Sequence, residues 1–309
     1  MPHSISEILL KTKEGVLDKI SAANLLISML EVEIDYNRRV DIINALDSIG
    51  DKNHYKEIEN ILISEDNENT RFAAIENLLK NYKDKSQDPL LWVLKNEISY
   101  KCRIDSIKGL QRIDSEKVSK AFLDLINQIQ PRSYKKDIKK FLKKNKDITI
   151  NKLGDILINY LTIANLRTQF DWFNYKLDDG LIIELDLTDV EFKIRWDIWE
   201  NNIDDIEDIE GLDYLTNLKC LKLANNNIRE IRGLNNLLKL EELDLSNNRI
   251  KEIKGLDKLK NLKRLNLARN EISEVKNIEN LQNLEVLNMR FNRIHGQDEF
   301  EDHFLWKST

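Results

Sequence analysis

The chain has 309 residues, enough for two ordinary domains, and charged residues make up 33% of it with a formal net charge of −6. This balance gives no global argument for a nucleic-acid-binding protein, whose domains are usually basic. Only two cysteines occur, Cys102 and Cys220, which excludes a disulfide framework and predicts a reducing, cytoplasmic location. No apolar run reaches membrane-spanning length and no signal peptide is recognisable, so we expect a soluble protein without a transmembrane segment.

From Ser4 to about Lys146 the apolar residues recur at helical spacing, separated by short polar turns. A repeat with a period of 32 residues runs through this region. Its matching positions begin with an arginine and continue with apolar residues: Arg39, Val40, Ile43 and Leu46; Arg71, Phe72, Ile75 and Leu78; Arg103, Ile104, Ile107 and Leu110. The preceding helices keep the same step, so two helices per repeat are predicted.

This arrangement resembles HEAT-type repeats, in the short form that is also found in phycobilin lyases and in many scaffold proteins. The resemblance covers roughly residues 35–130 and implies an all-α superhelix, which we place in a domain spanning residues 1–166. Arg39, Arg71 and Arg103 could form a ligand-binding ladder. We expect them instead to tie neighbouring repeats together through hydrogen bonds and through packing of their stems.

A basic amphipathic helix is predicted over residues 131–147, because Ile138, Phe141 and Leu142 form an apolar stripe. Its lysines are candidates for contact with an acidic partner, RNA or an anionic membrane surface: Lys135, Lys136, Lys139, Lys140, Lys143, Lys144 and Lys146. No aromatic platform accompanies them, so we prefer to interpret them as a solvated outer face on the last helix of the first array. A further helix over about residues 150–166 closes that array.

The composition changes over residues 167–210, which we predict to be the aromatic N-terminal cap of a second domain spanning residues 167–309. The aromatic residues before the turn at Asp179 are Phe170, Trp172, Phe173 and Tyr175. The strand after that turn contains Leu185 in the apolar spacing of the later repeats, and an insertion follows with Phe192, Ile194, Trp196, Ile198 and Trp199. Because the end of a solenoid must cover its core, we interpret these aromatics as a cap and not as a cofactor box.

The stretch from Gly211 to Ile294 repeats one 22-residue pattern four times, with the spacing LxxLxLxxNxI. The copies are Leu218, Leu221, Leu223, Asn226 and Ile228; Leu240, Leu243, Leu245, Asn248 and Ile250; Leu262, Leu265, Leu267, Asn270 and Ile272; Leu284, Leu287, Met289, Asn292 and Ile294. One short strand cannot bury its own leucine face, so stacked neighbours must form a solenoid. The asparagine of each copy is predicted to enter the core and pair with backbone groups of the turn.

These copies resemble leucine-rich repeats of the short 22-residue class typified by a regulatory subunit of a protein phosphatase. The resemblance implies a curved array with a parallel sheet on its concave side, and proteins with such arrays usually bind other proteins. The predicted fold class is therefore a two-solenoid chain. An N-terminal all-α HEAT-like superhelix is followed by an α/β-type leucine-rich repeat solenoid with a short parallel sheet, which a C-terminal cap over residues 295–309 closes.

A search for catalytic or metal-binding motifs finds none that meets its spacing rules. The acidic residues over 204–213 lack the spacing of a calcium loop, and His295 with His303 fits no standard metal site. Neither cysteine has a histidine nearby in sequence that activates it. We therefore predict no enzymatic activity, no cofactor and no metal.

If Leu221 and Leu223 face inward, the opposite side of the sheet is free for recognition. The predicted partner-binding residues are Lys222, Glu242, Asp244, Arg264, Asn266, Arg269, Asn288, Arg290 and Phe291. Small Ala224, Ser246 and Ala268 leave room for a partner to lie against the sheet. We predict a monomeric, non-catalytic adaptor that binds an unidentified protein through this face. Four strands span only about 20 Å, so the helical array or the caps should contribute contact area.

Two alternatives come from different classes of function. Binding of nucleic acid or an anionic surface through the helix Lys135–Lys146 predicts a steep dependence of affinity on salt. A lyase, by analogy with the short helical repeats, rests on fold resemblance alone. A protein, and not nucleic acid, is the expected partner.

Overall fold

The computed structural model describes residues 4–129, 132–145, 147–195, 198–201, 203–294 and 305–306. Several predicted features fall outside these ranges: Lys146, Trp196, the pair His295 and His303, and all of the C-terminal cap except residues 305–306. By its internal contacts the chain forms two compact units, which are Met1–Gln128 with Ile148–Leu157 and Ile129–Asp147 with Ile158–Thr309. The domain boundary that we place after residue 166 stays a prediction.

Helices occupy the first part of the described chain, as the apolar spacing predicts. Their bounds are α1 Ile5–Lys13, α2 Lys19–Val32, α3 Tyr36–Ile49, α4 Tyr55–Ser64, α5 Glu68–Asn81, α6 Gln87–Asn96, α7 Tyr100–Leu110, α8 Glu116–Gln128, α9 Arg132–Lys144 and α10 Ile150–Gln169. A short 3-10 helix, Lys83–Lys85, precedes α6. Of the helices described, none combines the length and the apolar character that crossing a bilayer requires.

The helical unit has a structural period of 32 residues. Helices α3, α5 and α7 begin at Tyr36, Glu68 and Tyr100. Each follows a side chain whose oxygen accepts the backbone N–H three residues further on: Asp35 from Arg38, Asn67 from Thr70 and Ser99 from Cys102. Such caps satisfy donors that have no partner inside the helix. Helix α5 packs against both α3 and α7, so the repeat read from the sequence is confirmed.

Arginines join consecutive turns of this unit, as predicted for two of the three positions. Arg39 donates to Glu65 from Nε at 3.0 Å and from Nη2 at 2.6 Å. Arg71 donates to Glu97 from Nε at 2.6 Å and from Nη2 at 2.8 Å. Nη1 of each arginine donates to two backbone carbonyls. In the third repeat the residue at the position of these glutamates is Ile129.

The second unit is built on a sheet with the strand order β1-β2-β5-β6-β7-β8-β9 and a separate β3-β4 hairpin. The strands are β1 Asn174–Asp178, β2 Leu181–Asp186, β3 Glu191–Arg195, β4 Ile198–Asn201, β5 Cys220–Lys222, β6 Glu242–Asp244, β7 Arg264–Asn266, β8 Val286–Asn288 and β9 Leu305–Trp306. Short 3-10 helices cover Ile206–Asp208 and Leu212–Tyr214. Strands β2, β5, β6, β7 and β8 run parallel, while β1 and β9 pair antiparallel at the two edges of the described sheet.

One leucine per parallel strand fixes the register of this sheet. Leu185, Leu221, Leu243, Leu265 and Leu287 pair in sequence across it, and all five are buried. Strand β2 is therefore the first unit of the array, as predicted, and the insertion after it forms the β3-β4 hairpin. The inward direction of the repeated leucines is confirmed.

A column of asparagines closes the core behind the strands. Oδ1 of Asn226, Asn248, Asn270 and Asn292 accepts a backbone N–H from the turn before, at 3.0 Å in each case: from Ile203, Ile228, Ile250 and Ile272. Nδ2 of the same side chains donates to the strand carbonyls of the previous turn, which are Leu187, Leu223, Leu245 and Leu267. The predicted scaffold role of these amides is confirmed, because they satisfy buried backbone groups.

Aromatic residues pack beside the first strands of the unit. Phe170 is part of the core, and Phe173 and Tyr175 pack against it. Trp172, which we assigned to the same cap, is instead 58% exposed, because it lies in the turn between α10 and β1 while its neighbours take the inner positions.

Helix α9 contributes to this second unit through its apolar side. Ile138 is buried, as predicted, and Phe141 and Leu142 are half-buried. Tyr134 is also buried, and its ring lies 5.8 Å from that of Tyr160, centroid to centroid. Tyr134 has helical spacing from Ile138. It was not part of the predicted stripe, because its hydroxyl is typical of a residue that reaches the surface.

Candidate protein-binding face of the sheet

Strands β5 to β8 are three residues long, and in each of them a buried leucine points to one side of the sheet while its two neighbours point to the other. We call these flanking positions the recognition face. Its first column contains Glu184, Cys220, Glu242, Arg264 and Val286, and its second contains Asp186, Lys222, Asp244, Asn266 and Asn288. The predicted residues Lys222, Glu242, Asp244, Arg264, Asn266 and Asn288 therefore do lie side by side.

Opposite charges on neighbouring strands pair across the recognition face. Nζ of Lys222 lies 3.1 Å from Glu184 and 3.5 Å from Asp186, and Lys176 on β1 reaches Glu184 at 2.6 Å. The hydrogen bond from Lys176 is the main cause that lowers the pKa of Glu184, and the hydrogen bond to Glu184 raises the pKa of Lys222. Arg264 on β7 forms an ion pair with Glu242 on the neighbouring strand β6.

The second column also has a structural task that the sequence reasoning missed. A side-chain oxygen of each Asp or Asn in this column accepts the backbone N–H two residues further on, at 2.9–3.2 Å: Asp186 from Thr188, Asp244 from Ser246, Asn266 from Ala268 and Asn288 from Arg290. Such bonds hold the chain as it leaves the strand. Substitution of Asp244 by alanine would therefore remove a structural hydrogen bond together with the charge, whereas asparagine would keep the acceptor and remove only the charge.

A third column of residues, which we call the rim column, follows the C-terminal ends of the parallel strands. Its members are Asp189, Asn225, Asn247, Arg269 and Phe291, and all have positive φ, from 53° to 59°. Nδ2 of Asn247 donates to Oδ1 of Asn225 at 2.8 Å. The guanidinium of Arg269 lies 4.7 Å from the centroid of the Phe291 ring, which is 64% exposed. Arg290, two residues after β8, is half-buried beside this column.

The less polar positions of the face do not form an open cavity. Ala224 and Ala268 are 8% and 9% exposed, so the room that we expected beside them is largely filled. Cys220 is half-buried with its Sγ 4.0 Å from Glu242. Burial, and after it the negative charge of Glu184, raises the pKa of the Cys220 thiol, which opposes formation of a nucleophilic thiolate.

The lysines of α9 form a separate candidate surface. Five of them are exposed and Lys135 is half-buried: the exposed ones are Lys136, Lys139, Lys140, Lys143 and Lys144. Lys146 lies outside the described residues. Within the part of the chain that the structure describes, no group of three or more His, Cys, Asp or Glu side chains is arranged to hold a metal ion.

Comparison with known proteins addresses the sheet and its repeats. The family model for leucine rich repeats (2 copies) matches residues 216–258, 238–281 and 260–302. Residues 216–302 are leucine-rich repeats. Strands β5 to β8 lie within these leucine-rich repeats, and β2 extends their parallel sheet by one strand on the N-terminal side.

Two crystal structures of internalins from Listeria monocytogenes are similar to parts of the chain. Internalin C2 is 31% identical over 30% of this chain and 40% of its own, with a TM-score of 0.28. A second internalin, inlF, is 22% identical over 45% of this chain and 44% of its own, also with a TM-score of 0.28. This chain thus spans less than half the length of either internalin. Among curated proteins, none matches the chain.

Proposed function

We propose that this chain is a non-catalytic adaptor that binds a protein partner through the recognition face of its leucine-rich repeats. The observation that supports the proposal is that the two sides of each strand differ. The leucines are buried in the core, while charged and amide side chains lie in register on the other side of the sheet. Protein interfaces have a polar rim and are enriched in aromatic residues and arginine, and Phe291 and Arg269 provide an exposed residue of each kind.

The size of the face limits what it binds alone. Five parallel strands at about 4.8 Å each take up about 24 Å. Their short exposed side offers a few hundred Å² at most, which is less than the roughly 800 Å² that each partner contributes to a standard interface. We infer that the partner also contacts the rim column, whose Phe291 is the most exposed large apolar side chain of the repeats among the residues described.

We further infer the identity of the helical unit and the class of the repeats. The capping side chains at Asp35, Asn67 and Ser99, at a constant step of 32 residues, support a HEAT-type array. The constant step of 22 residues from Leu221 to Leu243 supports the short class of leucine-rich repeat typified by a phosphatase regulatory subunit.

The proposed location is the cytoplasm, and the proposed oligomeric state is a monomer. Cys102 and Cys220 are both free, which fits a reducing compartment. Burial raises the pKa of Cys102 to about 11, which supports a structural and not a catalytic thiol. Sedimentation equilibrium of the full chain tests the monomer directly.

The experiment that tests the adaptor removes two charges from the recognition face and keeps the backbone hydrogen bond that Asp244 accepts. Asp244→Asn keeps the acceptor for Ser246, and Arg264→Gln removes the cation that pairs with Glu242. The control pair, Lys258→Gln with Glu279→Gln, removes the same two charges from exposed positions outside the face. Quantitative capture of partners from cell extract should fall with the first pair and stay constant with the control, at equal melting temperature. Equal capture by both pairs would exclude the recognition face.

A second candidate function rests on the exposure of the α9 lysines. Their clustering on the solvent side of a helix whose other side is buried favours contact with an anionic surface or RNA.

A further inference from the structure

The rim column contains two residues whose type does not suit their backbone. A left-handed conformation brings Cβ close to the following carbonyl, and Asn and Asp tolerate it better than other residues with a side chain. Asn225 and Asn247 follow this preference, whereas the next two turns place Arg269 and Phe291 at φ 58° and 59°. The repeat geometry accepts asparagine at this position, so the arginine and the phenylalanine are not required by the fold.

Arg269 and Phe291 form a preorganised pair that presents charge and apolar surface together. The guanidinium lies over the ring at 4.7 Å. A guanidinium held by a cation–π contact keeps its charge and its N–H donors, and a carboxylate can accept two parallel hydrogen bonds from such a group. Arg269 is exposed and the Phe291 ring is 64% exposed. The pair therefore offers a cation and an aromatic surface to the same incoming segment.

Two arginines, Arg269 and Arg290, carry positive charge near the β7-β8 end of the sheet. Neither Arg269 nor Arg290 has an ion-pair partner among the residues that the structure describes. Nε of Arg290 is buried, and it has no hydrogen-bond partner in the same set of residues. By contrast, Arg264 is paired with Glu242, and Lys222 lies between two carboxylates. Among the described residues of the recognition face and the rim column, and directly beside them, the cations without an ion-pair partner are therefore Arg269 and Arg290, near the β7-β8 end.

We propose that Arg269, Arg290 and Phe291, which we call the anchor, bind an acidic protein segment in which a carboxylate lies next to an apolar side chain. The inference rests on the proposed function and adds the chemistry of the partner. A nucleic acid fits less well, because its phosphates would continue across the sheet to Glu242 and Asp244 and be repelled there. A short acidic stretch of a protein is long enough for the anchor and ends before those carboxylates.

The test selects a displayed library of random 12-residue peptides on the full-length chain, with the double variant Arg269→Asn and Phe291→Asn as counter-selection. Asparagine is the residue already present at the two preceding rim positions, so the variant should melt at the same or a higher temperature. Recovered peptides should combine Asp or Glu with an adjacent aromatic or aliphatic residue. In fluorescence anisotropy, a labelled recovered peptide should bind the double variant and Arg290→Gln about tenfold more weakly or worse, and added salt should weaken it further.

Several results would overturn the anchor. These are recovered peptides without an acidic excess, no enrichment over a surface without protein, an RNA 12-mer that binds more tightly than the acidic peptide, or a melting temperature that falls together with binding. Loss of peptide binding only in the Asp244→Asn, Arg264→Gln pair would leave the proposed function intact and reject the anchor. Binding that survives every variant of the face and the rim would reject the proposed function itself.

Discussion

Arg71 holds Glu97, 26 residues further along the chain, through two hydrogen bonds of 2.6 and 2.8 Å from one guanidinium edge. The arginine side chain is 14% exposed and the glutamate side chain 5%. Planar pairs of this kind are stronger and more directional than a single lysine contact. The pair joins two consecutive turns of the helical unit. Arg39 and Glu65 pair at the same repeat position, where Nε and Nη2 both donate to one carboxylate oxygen, Oε2.

The stability that Glu97 contributes should depend on pH. Burial alone would raise its pKa, but the hydrogen bonds from Arg71 and from the backbone N–H of Ser99 outweigh burial and hold the pKa below its ordinary value of 4.5. A lowered folded-state pKa means that the stabilisation is present above about pH 4.5 and is lost as the pH falls through the folded value. Glu97→Gln should therefore lower the free energy of unfolding by on the order of 2 kcal/mol at pH 7, and by much less at pH 3.

Urea unfolding of both proteins at the two pH values measures this difference. Asp47→Asn is the matched control in the same unit, because Asp47 pairs with Lys80 at 2.6 Å but the lysine is 63% exposed. That change should lower stability by less than about 1 kcal/mol at either pH. A loss from Glu97→Gln that is the same at pH 7 and pH 3 would contradict the assignment.

Glycines at one position of consecutive repeats should differ sharply in their tolerance of alanine. Gly233 and Gly255 both have φ 77°, so the conformational penalty is the same, about 1 kcal/mol. A Cβ at Gly255 would lie 2.1 Å from the carbonyl oxygen of Ile231, whereas one at Gly233 would first meet the flexible side chain of Glu207 at 3.0 Å. Gly255→Ala should cost several kcal/mol more than Gly233→Ala in thermal or urea unfolding. Equal losses would mean that the backbone beside Ile231 can move.

The buried amide of Asn248 should be far more sensitive than an exposed one. Its Oδ1 accepts from Ile228 and its Nδ2 donates to Leu223, so alanine leaves buried backbone groups unsatisfied at about 1–3 kcal/mol each. We expect Asn248→Ala to lower the free energy of unfolding by roughly 3 kcal/mol or more. Asn236→Ala, at an exposed position of the same repeat, should change it by less than about 0.5 kcal/mol. Similar midpoints for the two variants in urea would refute the scaffold role.

Charge reversal on α9 should leave partner capture unchanged if the adaptor is correct. The variant Lys139→Glu with Lys143→Glu alters two exposed side chains, so the fold should be retained. Titration of the native chain with RNA and with vesicles of anionic lipid should show no tight, salt-sensitive binding. An affinity that falls steeply with salt and disappears in the variant would establish the α9 surface as the binding site instead.

The parts of the fold that the sequence predicted are those that repeat. Leu221 has an equivalent 22 residues later at Leu243, and four such copies are implausible by chance. The repeated leucines therefore indicated a core that is shared by stacked strands. The asparagine amides were predictable for the same reason, since a polar residue at a fixed place in an apolar repeat needs a backbone partner. The links made by Arg39 and Arg71 followed from the 32-residue step in the same way.

The features that the sequence did not predict depend on local backbone geometry or on contacts that do not recur from repeat to repeat. The bond from Ser246 to Asp244 depends on the direction of the chain after β6, which residue type alone does not reveal. The left-handed conformation of Arg269 and Phe291 runs against their intrinsic preference and is imposed by the repeat. Tyr134 has helical spacing from Ile138, but its packing near Tyr160, outside α9, is not revealed by the residue type.

Each buried asparagine accepts a hydrogen bond from the preceding turn of the array, so the completion of the turns has a direction along the chain. The backbone N–H of Ile228 donates to Asn248, 20 residues later, and that of Ile250 donates to Asn270. During synthesis at about 5–20 residues per second, every turn would be incomplete for roughly one to four seconds after it leaves the ribosome. The coil should therefore consolidate from its beginning one turn behind the growing end, with the newest turn always the one exposed to proteases and chaperones.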